Sequence, residues 1–366
     1  MINVLHLRSS SGLYGAEHVI LNLTGQSSAK CHHELAVIQN YLNDNNELLE
    51  AAKANGVTSH KLPNSGKFDL ATLGALRTIL KSSKIDIVHC HDPKSVFYAT
   101  LATLLSRSPK KIVTMHGWVK NDLNMKFNNL VEKLCLPWFA RVIAVSKEIS
   151  RDLGGQIPRD KIFLLENAID TEKFHPAPSR QRESQARVNL LIVGRLSPEK
   201  GHENLLTALA QLKQEGNNNW HLNIVGDGEL KAALTATSKR LALTGQVTFH
   251  GVQKNMLPYY QQNDLYISSS LTEGMPLVIL EALSCRLPVV ATPVGAIPEL
   301  LQQSKGGVLC DDCSPQGLHQ GLKRILGQDQ AGIEAMTAAG RKYIEDHLSL
   351  SRAREKHENL YAELLN

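Results

Sequence analysis

Apolar residues along this chain gather in short runs, and the segments between the runs carry apolar positions at helical spacing. In the first half the runs are "INVLHL", "ELAVIQ", "IDIVHC", "KIVTMH", "RVIAVS" and "KIFLLEN", separated by amphipathic stretches such as "DLATLGALRTILKSS". Short, nearly continuous apolar runs alternating with helices predict parallel strands covered on both faces. The periodicity stops over residues 167–187, "NAIDTEKFHPAPSRQRESQAR", where Pro, Ser, Arg and Gln accumulate. It restarts with "VNLLIVG", "LNIVGDG", "VTFHG", "LYISSS", "PVVAT" and "GGVLC". The expected fold is therefore α/β, with two doubly wound, Rossmann-like parallel-sheet domains facing each other across a cleft. Their expected bounds are 1–167 and 168–345, with 346–366 as a terminal helix that packs back on the first domain through Leu360, Leu364 and Leu365. A length of 366 residues agrees, being too great for one comfortable core.

In such sheets ligands bind beyond the carboxyl ends of the strands, so the residues just after the apolar runs carry the most information. "VNLLIVG" leads into "GRLSPEKG" and then into a helical pattern. Gly194 permits a tight turn, Arg195 and Lys200 offer two cations, and a helix start adds backbone N–H groups, which together make a place for a diphosphate. Taken alone, the loop equally fits an ordinary strand-to-helix connection with two solvated cations. Further on, "SSSLTEGMPLVILEAL" sets Glu273 and Glu281 among Met, Pro, Leu, Val, Ile and Ala. Gly274 and Pro276 mark a turn into a helix, with Pro276 suited to the first helical position and Glu281 in its early turns. Carboxylates accept hydrogen bonds from paired hydroxyls, as sugars present them.

In order and spacing, "NAIDTEKFHP", "GRLSPEKG", "GDGEL", the Glu273-x7-Glu281 frame and "PVVATPVGAIPEL" resemble the GT-B-fold retaining glycosyltransferases of family 4. The first half follows more loosely, with a "GAE" turn after the first strand, then "DIVHCHDPKS", "TMHGW" and "AVSKEI". The resemblance implies that Arg195 and Lys200 hold the diphosphate of a nucleotide sugar, that Glu281 binds the ribose hydroxyls, and that Glu273 contacts the donor sugar. Backbone N–H groups near Gly274, Met275 and Leu277 would assist. It also implies that His116 of "TMHGW" sits by the reacting sugar and that Gly15 lets the first loop approach the donor phosphate. The catalytic set so implied is His116, Glu273, Arg195 and Lys200. Tyr14 and His18 depart from the commoner Gly-Gly-Ala-Glu-Arg form of the first loop.

A retaining transferase of this kind would move a sugar from a UDP-sugar, with a GDP-mannose-type donor as the alternative, to a cell-surface glycan or lipid-linked saccharide. No Asp-x-Asp occurs, so no cofactor or metal is expected, and the cations would stabilise the departing diphosphate. A sugar-nucleotide epimerase, a phosphorylase or a non-catalytic nucleotide-sugar-binding protein of the same fold are the competing readings. An oxidoreductase is disfavoured because no Gly-x-Gly-x-x-Gly follows either first strand.

Charge and cysteines add less. Residues 1–166 hold 20 Lys and Arg against 14 Asp and Glu, and the remainder 20 against 21, so the basic character belongs to the first half. Ordinary surface charge accounts for that, as would attraction to an anionic membrane face or a phosphate-bearing acceptor. Residues 123–140, "LNMKFNNLVEKLCLPWFA", read either as an interfacial helix carrying Lys126, Phe127, Lys133, Trp138 and Phe139 or as a buried domain helix. No apolar run approaches the ~18 residues of a membrane span, and nucleic acid is not an expected partner. Six scattered cysteines fit a reducing, cytoplasmic setting, with any attachment peripheral at the inner membrane face. Cys310-x-x-Cys313 reads as a turn. In "HCHD", His89 and His91 share a strand face and could converge on a metal, although the stretch has a supporting or acceptor-side counterpart in the family.

Overall fold

The computed structural model describes residues 1–10, 12–13, 15–25, 29–40, 46–66, 68–104, 109–115, 130–178 and 187–366. The chain divides into two compact units: Met1–Asn167 with Leu350–Asn366, and Ala168–Ser349.

The first unit is built on seven strands: β1 (Ile2–Ser9), β2 (Cys31–Asn40), β3 (Thr58–Asn64), β4 (Ile87–Cys90), β5 (Lys110–Met115), β6 (Arg141–Ala144) and β7 (Ile162–Leu164). They pair in parallel in the order β3-β2-β1-β4-β5-β6-β7. Every residue of β4 is buried, as expected of a central strand covered on both faces. β3, "TSHKLPN", is absent from the apolar pattern because it is an edge strand. Among the described residues its ladder runs to β2 alone, which tolerates Pro63 and polar residues that a central strand would reject. Helix Leu70–Ser82 buries Thr72, Leu76 and Leu80 at four-residue spacing.

The helix Leu350–Leu365 belongs to this unit. It buries Leu360 and Tyr361 against Val4, Ile87, Ile112 and Ile143, with Leu364 packed at the margin and Leu365 exposed. Arg354 donates from Nη2 to the Asn22 carbonyl at 2.7 Å. Residues 130–138 form a helical stretch that runs into a 3-10 turn. It buries Glu132, Leu136 and then Phe139, while Leu130, Leu134 and Trp138 are exposed. Neither reading of residues 123–140 is met in full: the described part is anchored at one edge and apolar on its outer edge. Lys126 and Phe127 lie outside the described residues.

The second unit has six strands: β8 (Val188–Val193), β9 (Trp220–Val225), β10 (Val247–Gly251), β11 (Leu265–Ser268), β12 (Val289–Ala291) and β13 (Gly307–Leu309). They pair in parallel in the order β10-β9-β8-β11-β12-β13. Leu205, Leu206, Leu209 and Leu212 of helix His202–Gln214 pack on Leu190, Ile192, Trp220, Leu222 and Ile224 in its core. Within each sheet the strand order reverses once, between β1 and β4 and between β8 and β11. Chains leave such a point in opposite directions, so their loops part and open a crevice at the carboxyl ends. No helix among the described residues is long and apolar enough to cross a membrane.

Candidate active site

In the second unit the crevice lies where β8 and β11 end, and the two motif loops are the ones that leave it. After β8 the chain runs through Gly194 and Arg195 into a 3-10 turn, Pro198–Lys200, and then helix His202–Gln214. Gly201 joins the two at φ +63°, and a Cβ there would collide with the Ser269 carbonyl, so both conformation and space demand glycine. The two loops are tied together: Ser269 Oγ donates to the Lys200 carbonyl at 2.9 Å, and Leu271 N donates to the Glu199 carbonyl at 2.8 Å. The stem of Lys200 lies over Gly194, where a Cβ would stand 3.6 Å from its Cδ. Its ammonium reaches Glu273 Oε1 at 2.5 Å, and Ser270 Oγ donates to the same oxygen at 2.6 Å. Arg195, by contrast, is mostly exposed; its guanidinium pairs with Glu229 at 3.5 Å and is felt by Glu199.

Glycines hold these loops from behind. Gly226 of "GDGEL" allows the Gly194 carbonyl to lie where a Cβ would otherwise be, and Gly228 does the same for the Leu196 backbone. Leu196 N then donates to the Asp227 carbonyl and Leu230 N to the Leu196 carbonyl, both at 3.0 Å. Gly295, at φ +57° in "PVGAIPEL", passes so close to the carbonyls of Glu273 and Gly274 that a side chain would strike both. Ala296 N donates to the Gly274 carbonyl at 2.9 Å, and Thr292 Oγ1 to the Ser270 carbonyl at 2.6 Å.

Beyond that loop the helix runs Leu277–Ser284, and Pro276 stands at its N-cap with extended backbone rather than at the first helical position. The correction is one residue wide, and it leaves the first turn without a side-chain cap. Met275 and Leu277 are buried, so only their backbones can serve a ligand. Glu281, in the second turn, accepts from Tyr260 Oη at 2.5 Å. Burial pushes its carboxyl above the usual range, against the pull of that hydrogen bond and of Lys173. Tyr266 is fully buried and feels both Glu273 and Glu281, which raise its hydroxyl further after burial. The glutamates are thus separate anchors, Glu273 held by Lys200 and Ser270 and Glu281 by Tyr260.

Tyr260 carries no signal in the sequence patterns, and its position is built by "NAIDTEKFHP". Phe174 meets its ring edge-on with centroids 5.9 Å apart. Arg341 Nη1 donates to the carbonyls of Phe174 and Ser284, each at 2.7 Å, which pins this segment beside the Glu281 helix.

The reversal point of the first unit is also polar. Glu17 of "GAE" is buried and takes Arg8 Nε at 2.9 Å and Ser10 Oγ at 3.0 Å, closing the loop after β1. Asp92 caps helix Pro93–Ala102 in a reciprocal capping box with Ser95 and accepts from Ser9 N. Around Gly15 a Cβ would meet nothing within 4 Å among the described residues. Tyr14 and His116 lie outside the described residues.

His89 and His91 do share a face, with stacked rings 4.2 Å apart, and His6 joins them from β1. The ring nitrogens of His6, His89 and His91 come within 4.8 Å of one another. Both ring nitrogens of His6 and of His89 are already engaged, and so is Nε2 of His91. His6 bonds His91 and His33, each at 3.0 Å, while His89 bonds Tyr361 Oη at 2.9 Å and Thr114 Oγ1 at 2.7 Å. All six cysteines are free thiols, and burial holds Cys310 up at about 12, far from a thiolate ligand.

Two family descriptions match this sequence: Glycosyltransferase Family 4 over residues 14–173, and Glycosyl transferases group 1 over residues 177–343. The phosphatidylinositol N-acetylglucosaminyltransferase GPI3 subunit of Saccharomyces cerevisiae is 28% identical over 245 residues, 63% of this chain and 53% of that protein. The chain thus spans about half the length of that relative. The UDP-Gal:alpha-D-GlcNAc-diphosphoundecaprenol alpha-1,3-galactosyltransferase of Escherichia coli is 28% identical over 323 residues, 81% of this chain and 80% of the other. Among solved structures, Anabaena Alr3699/HepE in complex with UDP aligns with a TM-score of 0.84 at 17% identity, covering 99% of this chain and 100% of that one, a likeness of fold. With one match filling the first unit and the other the second, the chain belongs to the family 4, group 1 glycosyltransferases.

Proposed function

We propose that this protein transfers a sugar from a UDP-sugar to a lipid-linked saccharide, with retention at the anomeric carbon and without a metal. The observation that carries the reading is the Lys200–Glu273 pair at the β8/β11 reversal point, with Arg195 beside it and Glu281 eight residues beyond. A diphosphate replaces the carboxylate as partner of the Lys200 ammonium, and the sugar hydroxyls then take Glu273. As the bond from C1 to the β-phosphate breaks, the departing UDP gains charge that Lys200 and Arg195 offset, the exposed arginine swinging inward. The acceptor hydroxyl attacks C1 from the same face, and its proton passes to the departing phosphate oxygen. Glu273 is engaged by Lys200 and Ser270, which suits a binding group better than a nucleophile.

UDP is favoured because the Escherichia coli relative is named for UDP-Gal and the Anabaena protein was solved with UDP. A lipid-linked acceptor is favoured because the yeast and Escherichia coli relatives are named for phosphatidylinositol and diphosphoundecaprenol substrates. The exposed Leu130, Leu134 and Trp138 and the basic first half suit work at a membrane face.

The test is thermal melting with UDP, GDP, dTDP and ADP on the parent chain and on Glu281→Ala. A ligand at ~100 times its dissociation constant adds roughly 2.7 kcal/mol, visible in a melt. Stabilisation by UDP alone, weakened by the substitution, supports the reading; a shift confined to GDP reassigns the donor; no shift with any nucleotide sinks the proposal. Full activity in EDTA and a product of unchanged anomeric configuration are expected, and a glycosyl adduct trapped on Glu273 would overturn the same-face step.

A further inference from the structure

His202 opens helix His202–Gln214 and is 2% exposed, yet neither of its ring nitrogens has a hydrogen-bond partner among the described residues. Buried polar groups in folded proteins are satisfied with few exceptions, so an imidazole with both nitrogens unanswered calls for a partner that is not a protein atom. The ring lines the crevice shared by Lys200, Glu273 and Ser268–Ser270, which has room for about one water and walls polar enough to hold it. Burial first, and the neighbouring Lys200 second, hold the imidazole down to about 4, so at neutral pH it offers one N–H donor and one acceptor. The surroundings match that pair. An ammonium has three donors and a carboxylate two oxygens, of which the Lys200–Glu273 contact uses one each.

We propose that His202 is a positioning residue of the donor site: its neutral imidazole holds one ordered water, and through it fixes the Lys200 ammonium and the Glu273 carboxylate for a nucleoside diphosphate sugar. The inference rests on the donor-site reading above. Among the described residues Lys200 is guided along its stem by Gly194 and hydrogen-bonded at its head by Glu273, and Glu273 is steadied by Ser270. A third, bridged contact from beneath is what keeps either side chain from swinging when the diphosphate arrives.

Two measurements on the intact chain test it. In a high-resolution crystal structure a water stands within hydrogen-bond reach of a His202 ring nitrogen and of Lys200 or Glu273; a dry crevice overturns the proposal whatever the chain transfers. Kinetics and UDP titration then compare His202→Leu, which keeps the bulk, with His202→Asn, which keeps a donor and an acceptor. About a tenfold loss of UDP affinity and of kcat/KM for the donor is expected in the leucine variant at an undiminished Tm, with most of it restored by asparagine. An unaffected leucine variant, or equal losses in both variants that follow a fall in Tm, would show a space-filling histidine only. Failure of the parent chain to bind any of UDP, GDP, dTDP and ADP is a different result: it removes the donor reading and with it the role given to His202, while the crystal still decides the water.

Discussion

Gly201 and Glu281 place opposite demands on the chain. At Gly201 fold and site want the same residue, since the left-handed backbone and the Ser269 carbonyl both exclude a side chain. Gly201→Ala should cost roughly 1–3 kcal/mol in urea unfolding, and weaken nucleotide binding as well because Lys200 precedes the displaced turn. At Glu281 they conflict. Its carboxyl is raised by burial, so the folded state binds its proton more tightly than the unfolded one, and the ionised group at neutral pH is held at a cost. Glu281→Gln keeps an oxygen for Tyr260 and sheds the charge; at pH 7 its Tm should equal or exceed the parent's while UDP affinity falls at least about tenfold. Lys200 and Glu273 are legible from sequence because they stand in the loops that leave apolar strands β8 and β11, and Glu281 because it is an acid inside an otherwise apolar helical run. Tyr260 and His202 are not, for Tyr260 reaches the site through packing on Phe174, and His202 carries no mark that sets it apart from other residues at a helix start.

At the scale of elements, every strand but β3 is legible as an apolar run, the edge strands β7, β10 and β13 included, whereas the polar residues and Pro63 of β3 hide it. The Leu277 helix and the "GDGEL" and "PVGAIPEL" turns show a further limit. Their glycines matter for what packs behind them, and that depends on β9 and β12 flanking β8 and β11, an order fixed only in three dimensions. The terminal helix makes the same point through Tyr361, whose ring is fully buried and whose hydroxyl meets His89, 272 residues earlier in the chain. Tyr361→Ala should remove roughly 3–5 kcal/mol and detach the helix from the first unit, seen as amide exchange over residues 350–365. Tyr361→Phe keeps the ring and loses only the hydrogen bond, about 1 kcal/mol; a phenylalanine variant as damaged as the alanine one would mean that the His89 contact, not packing, holds the helix.

Over the whole molecule, the histidines of the first unit tie local packing to pH. Register places His6 of β1 beside His89 of β4, His91 follows on the same face, His33 joins from β2, and His357 arrives from the terminal helix. Where His6 bridges His33 and His91, a neutral His6 gives its one proton to one of them and takes a proton from the other. Burial is the leading cause that lowers His6 well below 6.5, His33 to about 4, and His357 as well; His33 and His357 add to it at His6, His357, His32 and Arg354 at His33, and Lys356 at His357. The sign follows from linkage. A histidine whose folded value is depressed leaves stability intact above the unfolded value of about 6.5, and stability is lost as pH falls from there toward the folded value, because the unfolded chain takes up the proton first. His33 alone corresponds to roughly 3 kcal/mol over that window. Urea unfolding of the first unit should therefore be flat between pH 7 and 8 and weaken steadily from about pH 6.5 to about 4. His33→Gln should flatten that slope while lowering stability at pH 7, since His6 then loses a matched partner. A slope unchanged by the substitution would place the acid sensitivity elsewhere and leave the imidazole chain as packing alone.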